Sequence, residues 1–155
     1  MPRPLKQTGR RSASAGTSPL LGRTLSVDQA LIALLIGAMA ANDHVAPDEA
    51  ERAHHLIWFT RRFRNRSAAR VGKLIADMRD LLDTSDASAV VRRAARAVPP
   101  PLRLSAFSLL TDLLLADGRL DARERRFLEQ VGGDMRLDAR RIEQVVEVIR
   151  QKNRL

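Results

Sequence analysis

Residues 113–131 read LLLADGRLDARERRFLEQV. An apolar run enters, a glycine interrupts it, and a strongly charged run with apolar residues three and four apart leaves. That is the signature of a helix, a corner and a second helix. The corner carries acids at spacings that invite a calcium reading. In a twelve-residue calcium loop, oxygen ligands come from positions 1, 3, 5, 7 and 9, glycine sits at 6 and a bidentate Glu at 12. With Gly118 at position 6, Asp117 falls at 5, Leu120 at 8, Asp121 at 9 and Glu124 at 12. Positions 1 and 3 then fall on Leu113 and Leu115, so two essential carboxylates are missing and the stretch is not an EF-hand. Local chemistry explains most of the rest. Gly118 supplies a left-handed residue, Leu120 closes the turn, and Asp121 with Glu124 makes the capping box of the next helix. Asp117 alone resists, because a negative charge at the carboxyl end of a helix opposes its dipole by ~0.3–1 kcal/mol. A hydrogen bond to the amides of the next turn, or a bound cation, would relieve that cost.

The same helix-and-cap grammar runs along the chain. Ser26-Val-Asp-Gln29 is a capping box opening a helix to about Ala41, and Pro47 with Asp48 and Glu49 opens a second to about Phe63. Ser67 caps a third through Leu82, and the Thr84-Ser85-Asp86 cluster a fourth through Ala97. Prolines 99 to 101 break the chain and start a fifth, ending near Ala116, while Asp121 and Asp138 cap a sixth and a seventh that runs to about Gln151. Apolar residues recur at three and four: Leu31, Leu34, Leu35 and Ala38 in the first helix, Leu56, Phe59 and Phe63 in the second, Ile142, Val145, Val146 and Ile149 in the last. The fifth is apolar almost all round from Leu109 to Leu115, which predicts a central position. The expected fold is all-α, a single compact bundle of about seven helices.

A shift of 75 residues lays LLIGAMAANDHVAPDE (34–49) over LLTDLLLADGRLDARE (109–124), keeping Leu-Leu, the Ala before the turn and the closing Glu, with Val45 over Leu120 and Asn42 over Asp117. Both copies occupy an apolar helix, a turn and a charged helix. This predicts a degenerate internal two-fold repeat.

Composition agrees with a helical bundle. The 155 residues are 45% apolar, with four Phe, one Trp and no Tyr, which suits one helical core. Cysteine is absent, which excludes disulfides, thiolate metal sites and a cysteine nucleophile. Of 27 basic and 18 acidic residues, five basic and no acidic ones fall in residues 1–23, leaving 22 against 18 for the remainder. Most of the +9 excess therefore sits in a segment rich in Pro, Gly, Ser and Thr. Residues 1–24 are expected to be a disordered basic tail and 25–152 the helical domain. The run ALIALLIGAMAA (30–41) behind Arg10 and Arg11 imitates an export signal, but it lies far from the arginines, follows Asp28 and belongs to the repeat. No segment approaches the ~20 apolar residues of a membrane span.

The pattern A-D-G-x-Leu-x-x-x-E between two helices, with the degenerate copy A-N-D-H-V-A-P-D-E before it and two helices behind it, resembles the TerB-like tellurite-resistance family over about residues 26–151. The resemblance implies an all-helical domain of about seven helices and a divalent-cation site made by acids at helix turns. It also implies a role in bacterial stress response, including resistance to tellurite, near the inner membrane. Carried across position by position, Asp117 and Glu124 match the motif, with Asp121 and Asp112 nearby, and Glu49 matches the closing Glu of the first copy. Asn42 departs from the pattern, standing where an aspartate is expected, with Asp43 displaced into the glycine slot. Two turns meeting about a pseudo-twofold axis would offer Asp117, Asp121, Glu124, Asn42, Asp43 and Glu49 to calcium, magnesium or manganese.

Two further features bear on function. Glu51-Arg-Ala-His54 has the Glu-x-x-His spacing of di-iron bundles, but no second copy exists, so His54 and His55 read as boundary residues beside Trp58. RRFRNRSAARVGK (61–73) holds Arg61, Arg62, Arg64, Arg66, Arg70 and Lys73 with no acid, and Arg92, Arg93 and Arg96 add a second cluster. Such a patch suits phosphates of an anionic membrane surface, an acidic protein or, without sequence specificity, nucleic acid. No nucleophile motif accompanies these residues. The sequence reads as a non-enzymatic binding or sensing module, expected in the cytoplasm or peripheral at the inner membrane; the competing reading is a metal-independent scaffold working through its arginine-rich face.

Overall fold

The structure is a computed structural model describing residues 22–41 and 47–154. Seven helices follow one another, α1 (Val27–Ala41), α2 (Pro47–Phe59), α3 (Ala68–Thr84), α4 (Ala87–Ala97), α5 (Pro100–Leu114), α6 (Ala122–Asp134) and α7 (Ala139–Lys152), and the described residues contain no strand. The all-α expectation holds.

The hub of the bundle is α1, which packs against α2, α3, α4, α5 and α6. Its burial is not the single stripe expected from Leu31, Leu34, Leu35 and Ala38. Ala30, Ile32, Ala33, Leu34, Leu35, Gly37 and Ala38 are all buried, and Leu31 is only half-buried. Small residues make this possible by letting neighbours approach. A Cβ added at Gly37 would stand 2.7 Å from Val91 Cγ2 on α4, too close for a stiff β-branched side chain to accommodate. The fifth helix is central as expected, burying Phe107, Leu110, Leu113 and Leu114 against α1 and α6. At the periphery lies α7, which rests on α5 and buries none of its residues fully; Ile142, Val145, Val146 and Ile149 are half-covered.

Local capping sets most helix ends. Gln29 N–H donates to Ser26 Oγ at 3.2 Å while Ser26 N–H donates to Gln29 Oε1 at 2.9 Å, the reciprocal box expected for α1. Ser67, Asp86, Asp121 and Asp138 cap α3, α4, α6 and α7 through their side chains.

Two ends differ from expectation. The second helix stops at Phe59, not Phe63: Phe63 N–H donates to Thr60 O and Arg66 N–H to Phe63 O, tight turns that rotate Phe63 out of the helical register and into the core at 0% exposure. The fifth helix ends at Leu114, two residues short of Ala116, and Gly118 takes its left-handed conformation (φ 82°) inside the turn that follows.

An unexpected left-handed residue closes α6. Arg136 has φ 56°, with Leu137 N–H bonded to Gly132 O and Arg136 N–H to Gly133 O, the hydrogen-bond pair of a Schellman end. Glycine tolerates that backbone better than arginine does. Arg136→Gly is therefore expected to stabilise the fold by about 0.5–1 kcal/mol, net of the added freedom of the unfolded chain, read as a higher denaturation midpoint at unchanged slope.

Candidate functional site

The α5–α6 corner is built by its own side chains. Asp117 Oδ1 accepts from Arg119 N–H at 3.0 Å, so the carboxylate that opposes the α5 dipole is answered by the turn it enters. Asp121 Oδ1 accepts from Arg123 N–H at 2.7 Å and Glu124 N–H at 2.8 Å, and Glu124 Oε2 returns the bond to Asp121 N–H at 2.8 Å. Glu124 is only 5% exposed despite its charge, held inside by this box. Nearby Asp112 pairs with Lys152 of α7 at 2.6 Å, and Asn153 donates to Leu115 O, tying the end of α7 to the end of α5.

The corner alone is not a cation cradle. Among the described residues no three carboxylates or imidazoles gather to a common point, and the oxygens of Asp121 and Glu124 that make the box are turned to backbone amides. Asp117 and Asp121 are exposed and each keeps one carboxylate oxygen without a described partner. Of the other expected ligands, Asn42 and Asp43 lie outside the described residues, and so does the side chain of Glu49. The meeting of the two turns lies there too.

The corner's energetics follow from these bonds. Asp121→Ala, which leaves two amides of the first turn unanswered, is expected to cost about 1 kcal/mol of stability. Asp117→Asn keeps an acceptor for Arg119 and is expected to stay within about 0.5 kcal/mol of the parent in chelator. Thermal unfolding of the pair checks both.

The basic stretch 61–73 is more structured than a solvated junction. Phe63 anchors it in the core. Arg62 Nε and Arg66 Nη2 converge on Asp28 of α1, the latter at 2.9 Å, and the Asp28 side chain is only 13% exposed. Lys73 pairs with Asp77 at 3.0 Å one turn along α3. That leaves Arg61, Arg64 and Arg70 exposed on one segment with no carboxylate of the described residues against them. Asp28 is the residue the sequence reading missed as a partner for the arginines. Its only signal was an acid in the first turn of an otherwise apolar helix.

In the second basic cluster Arg93 donates to Arg23 O at 2.6 Å and Arg96 pairs with Asp134 at 3.0 Å. His54 stacks on Trp58 with ring centroids 5.9 Å apart, and both His54 and His55 lie at the surface, as boundary residues should. No helix among the described residues is long and apolar enough to cross a membrane.

Against known proteins, a family model described as "Tellurite resistance protein TerB" matches residues 28–147, from the first turn of α1 to the middle of α7. No curated protein and no solved structure matches the chain.

Proposed function

The chain belongs to the TerB family of tellurite resistance proteins, and from that membership we propose that it is a non-enzymatic binding or sensing module in a bacterial stress response. Its seat is the cytoplasm or the inner face of the membrane, where the exposed Arg61, Arg64 and Arg70 meet an anionic surface or an acidic protein. The α5–α6 corner contributes to a divalent-cation site, calcium, magnesium or manganese, through the oxygens of Asp117 and Asp121 that the capping bonds leave over. Such a site takes six or more oxygens in the case of calcium, so it needs Asn42, Asp43 and Glu49 as well. What supports the reading is the match of the ADGRLDARE corner to a family whose model spans most of the domain.

The test is a residue-resolved amide-shift titration of chelator-stripped protein with calcium, then magnesium and manganese. Saturable changes centred on Asp117 to Glu124, spreading to residues 42–49 and lost in Asp117→Asn, are expected. A corner that stays still to millimolar metal would sink the cation reading.

A second reading is favoured by the three exposed arginines, which have no carboxylate partner among the described residues: a metal-independent scaffold that binds anionic lipid, an acidic protein or, non-specifically, nucleic acid. It predicts binding to anionic vesicles that weakens with salt, is unchanged by chelator and falls in Arg61→Ser/Arg64→Ser/Arg70→Ser.

A further inference from the structure

Between α6 and α7 lies an open groove of about 590 Å³ whose floor includes Leu128, Leu137, Ile142 and Val146. Near the connection of the two helices Gly132 of α6 meets Ile142 of α7. Charged residues of both signs line the groove, Glu129, Glu143 and Glu147 together with Arg125 and Arg150. Glu147 is occupied by Arg150 and Gln151, whose hydrogen bonds hold its carboxyl below the usual glutamate range, with the Gln151 bond the larger cause. Glu129 and Glu143 are exposed and have no partner among the described residues. With Arg150 engaged by Glu147, the lining keeps two carboxylates against Arg125, a local acidic excess in a chain of net charge +9 that favours a cation with apolar neighbours.

The chain carries such a segment, and it enters the fold close by. Residues 1–21 hold Arg3, Lys6, Arg10 and Arg11, with no Asp or Glu, interleaved with Met1, Leu5, Leu20 and Leu21. Gly22 and Arg23 lie beside Arg93 and Arg96 at the end of α4. Arg96 in turn reaches Asp134, the neighbour of Gly133 in the groove wall. The described chain therefore begins beside the Arg96–Asp134 pair, at the end of the helix that forms one wall of the groove. A covalently attached segment is present there at an effective concentration that falls only slowly with linker length, so modest contacts suffice.

We propose that the α6–α7 groove is the docking site for the chain's own basic segment, residues 1–21, its arginines and lysine meeting Glu129 and Glu143 and its leucines covering the apolar floor. This inference is independent of the cation reading of the α5–α6 corner. It also gives the exposed arginines of residues 61–73 no part in holding the segment, since like charges repel there.

The chain has no cysteine, so Ser14→Cys accepts a single nitroxide label in the full-length protein. At low salt the label is expected to broaden the amide resonances of Glu129, Gly133, Glu143 and Val146. Glu129→Gln/Glu143→Gln, two exposed substitutions that leave the core untouched, should reduce that broadening several-fold, as should high salt. The proposal is overturned if the groove's resonances stay sharp, or if the double substitution changes nothing. Mixing nitroxide-labelled chains lacking isotope with isotope-labelled chains lacking nitroxide gives the remaining contrast. Broadening of the groove in that mixture would assign it to a second copy and overturn docking within one chain.

Discussion

Phe63→Ala is expected to lower the unfolding free energy by about 3–5 kcal/mol, the range for emptying a fully buried aromatic site. Domains of this size hold roughly 5–15 kcal/mol in all, so the variant should be poorly folded at physiological temperature. The reason lies in where the residue sits. It is 0% exposed although flanked by Arg62 and Arg64, and it is the apolar anchor of the residues joining α2 to α3. No flanking side chain can swing in to replace it without burying a guanidinium. Chemical denaturation with tryptophan fluorescence from Trp58 measures the loss. A change under 1 kcal/mol would mean that the stretch is a surface loop after all. Phe63→Leu, which keeps most of the volume, should recover more than half of the deficit.

Asp28→Ala is the second large effect, expected at about 1–3 kcal/mol. A fully buried ion pair broken on one side costs about 3–5 kcal/mol, but Arg62 and Arg66 are 38% and 31% exposed and can turn to water, which discounts the figure. The same exposure makes the effect salt-sensitive, so the gap between parent and variant should narrow as ionic strength rises. Phe63 and the Asp28 bridge anchor the same eight residues, 60–67. The costs of Phe63→Ala and Asp28→Ala should therefore fall short of additive when combined, by about 0.5 kcal/mol or more in a double-mutant cycle. Full additivity would show that the salt bridge and the anchor act independently.

Much of the fold was legible because helix ends are local chemistry. Ser26, Ser67, Asp86, Asp121 and Asp138 announce their helices within four residues, and each caps where expected. What was not legible depends on distance along the chain. Phe59 to Phe63 is a perfect i, i+4 step with no glycine or proline between, so nothing local ends α2; the end is imposed by a core pocket that captures Phe63. Likewise the Asp28 bridge spans 34 residues of sequence. The all-round burial of α1 could have been suspected from ALIALLIGAMAA, where small residues alternate with large ones and leave no polar face. At the candidate site the sequence placed the Asp121–Glu124 box correctly, and of the two reliefs it left open for Asp117 the hydrogen bond to the next turn is present. It could not say whether the first copy's turn comes to meet the second.

The outermost helix has a consequence for how the domain breathes. With no residue fully buried and its main support on α5, α7 is held chiefly by half-covered aliphatics, the Lys152–Asp112 pair and the Asn153 bond to Leu115. Such an element detaches as a unit at a free energy well below global unfolding, and its amide protons should exchange with solvent sooner than those of α1. Detachment would widen the groove it shares with α6. It would also release the carboxyl end of α5 just ahead of the acidic corner, so any ligand preferring the closed form would slow exchange across all of α7 at once.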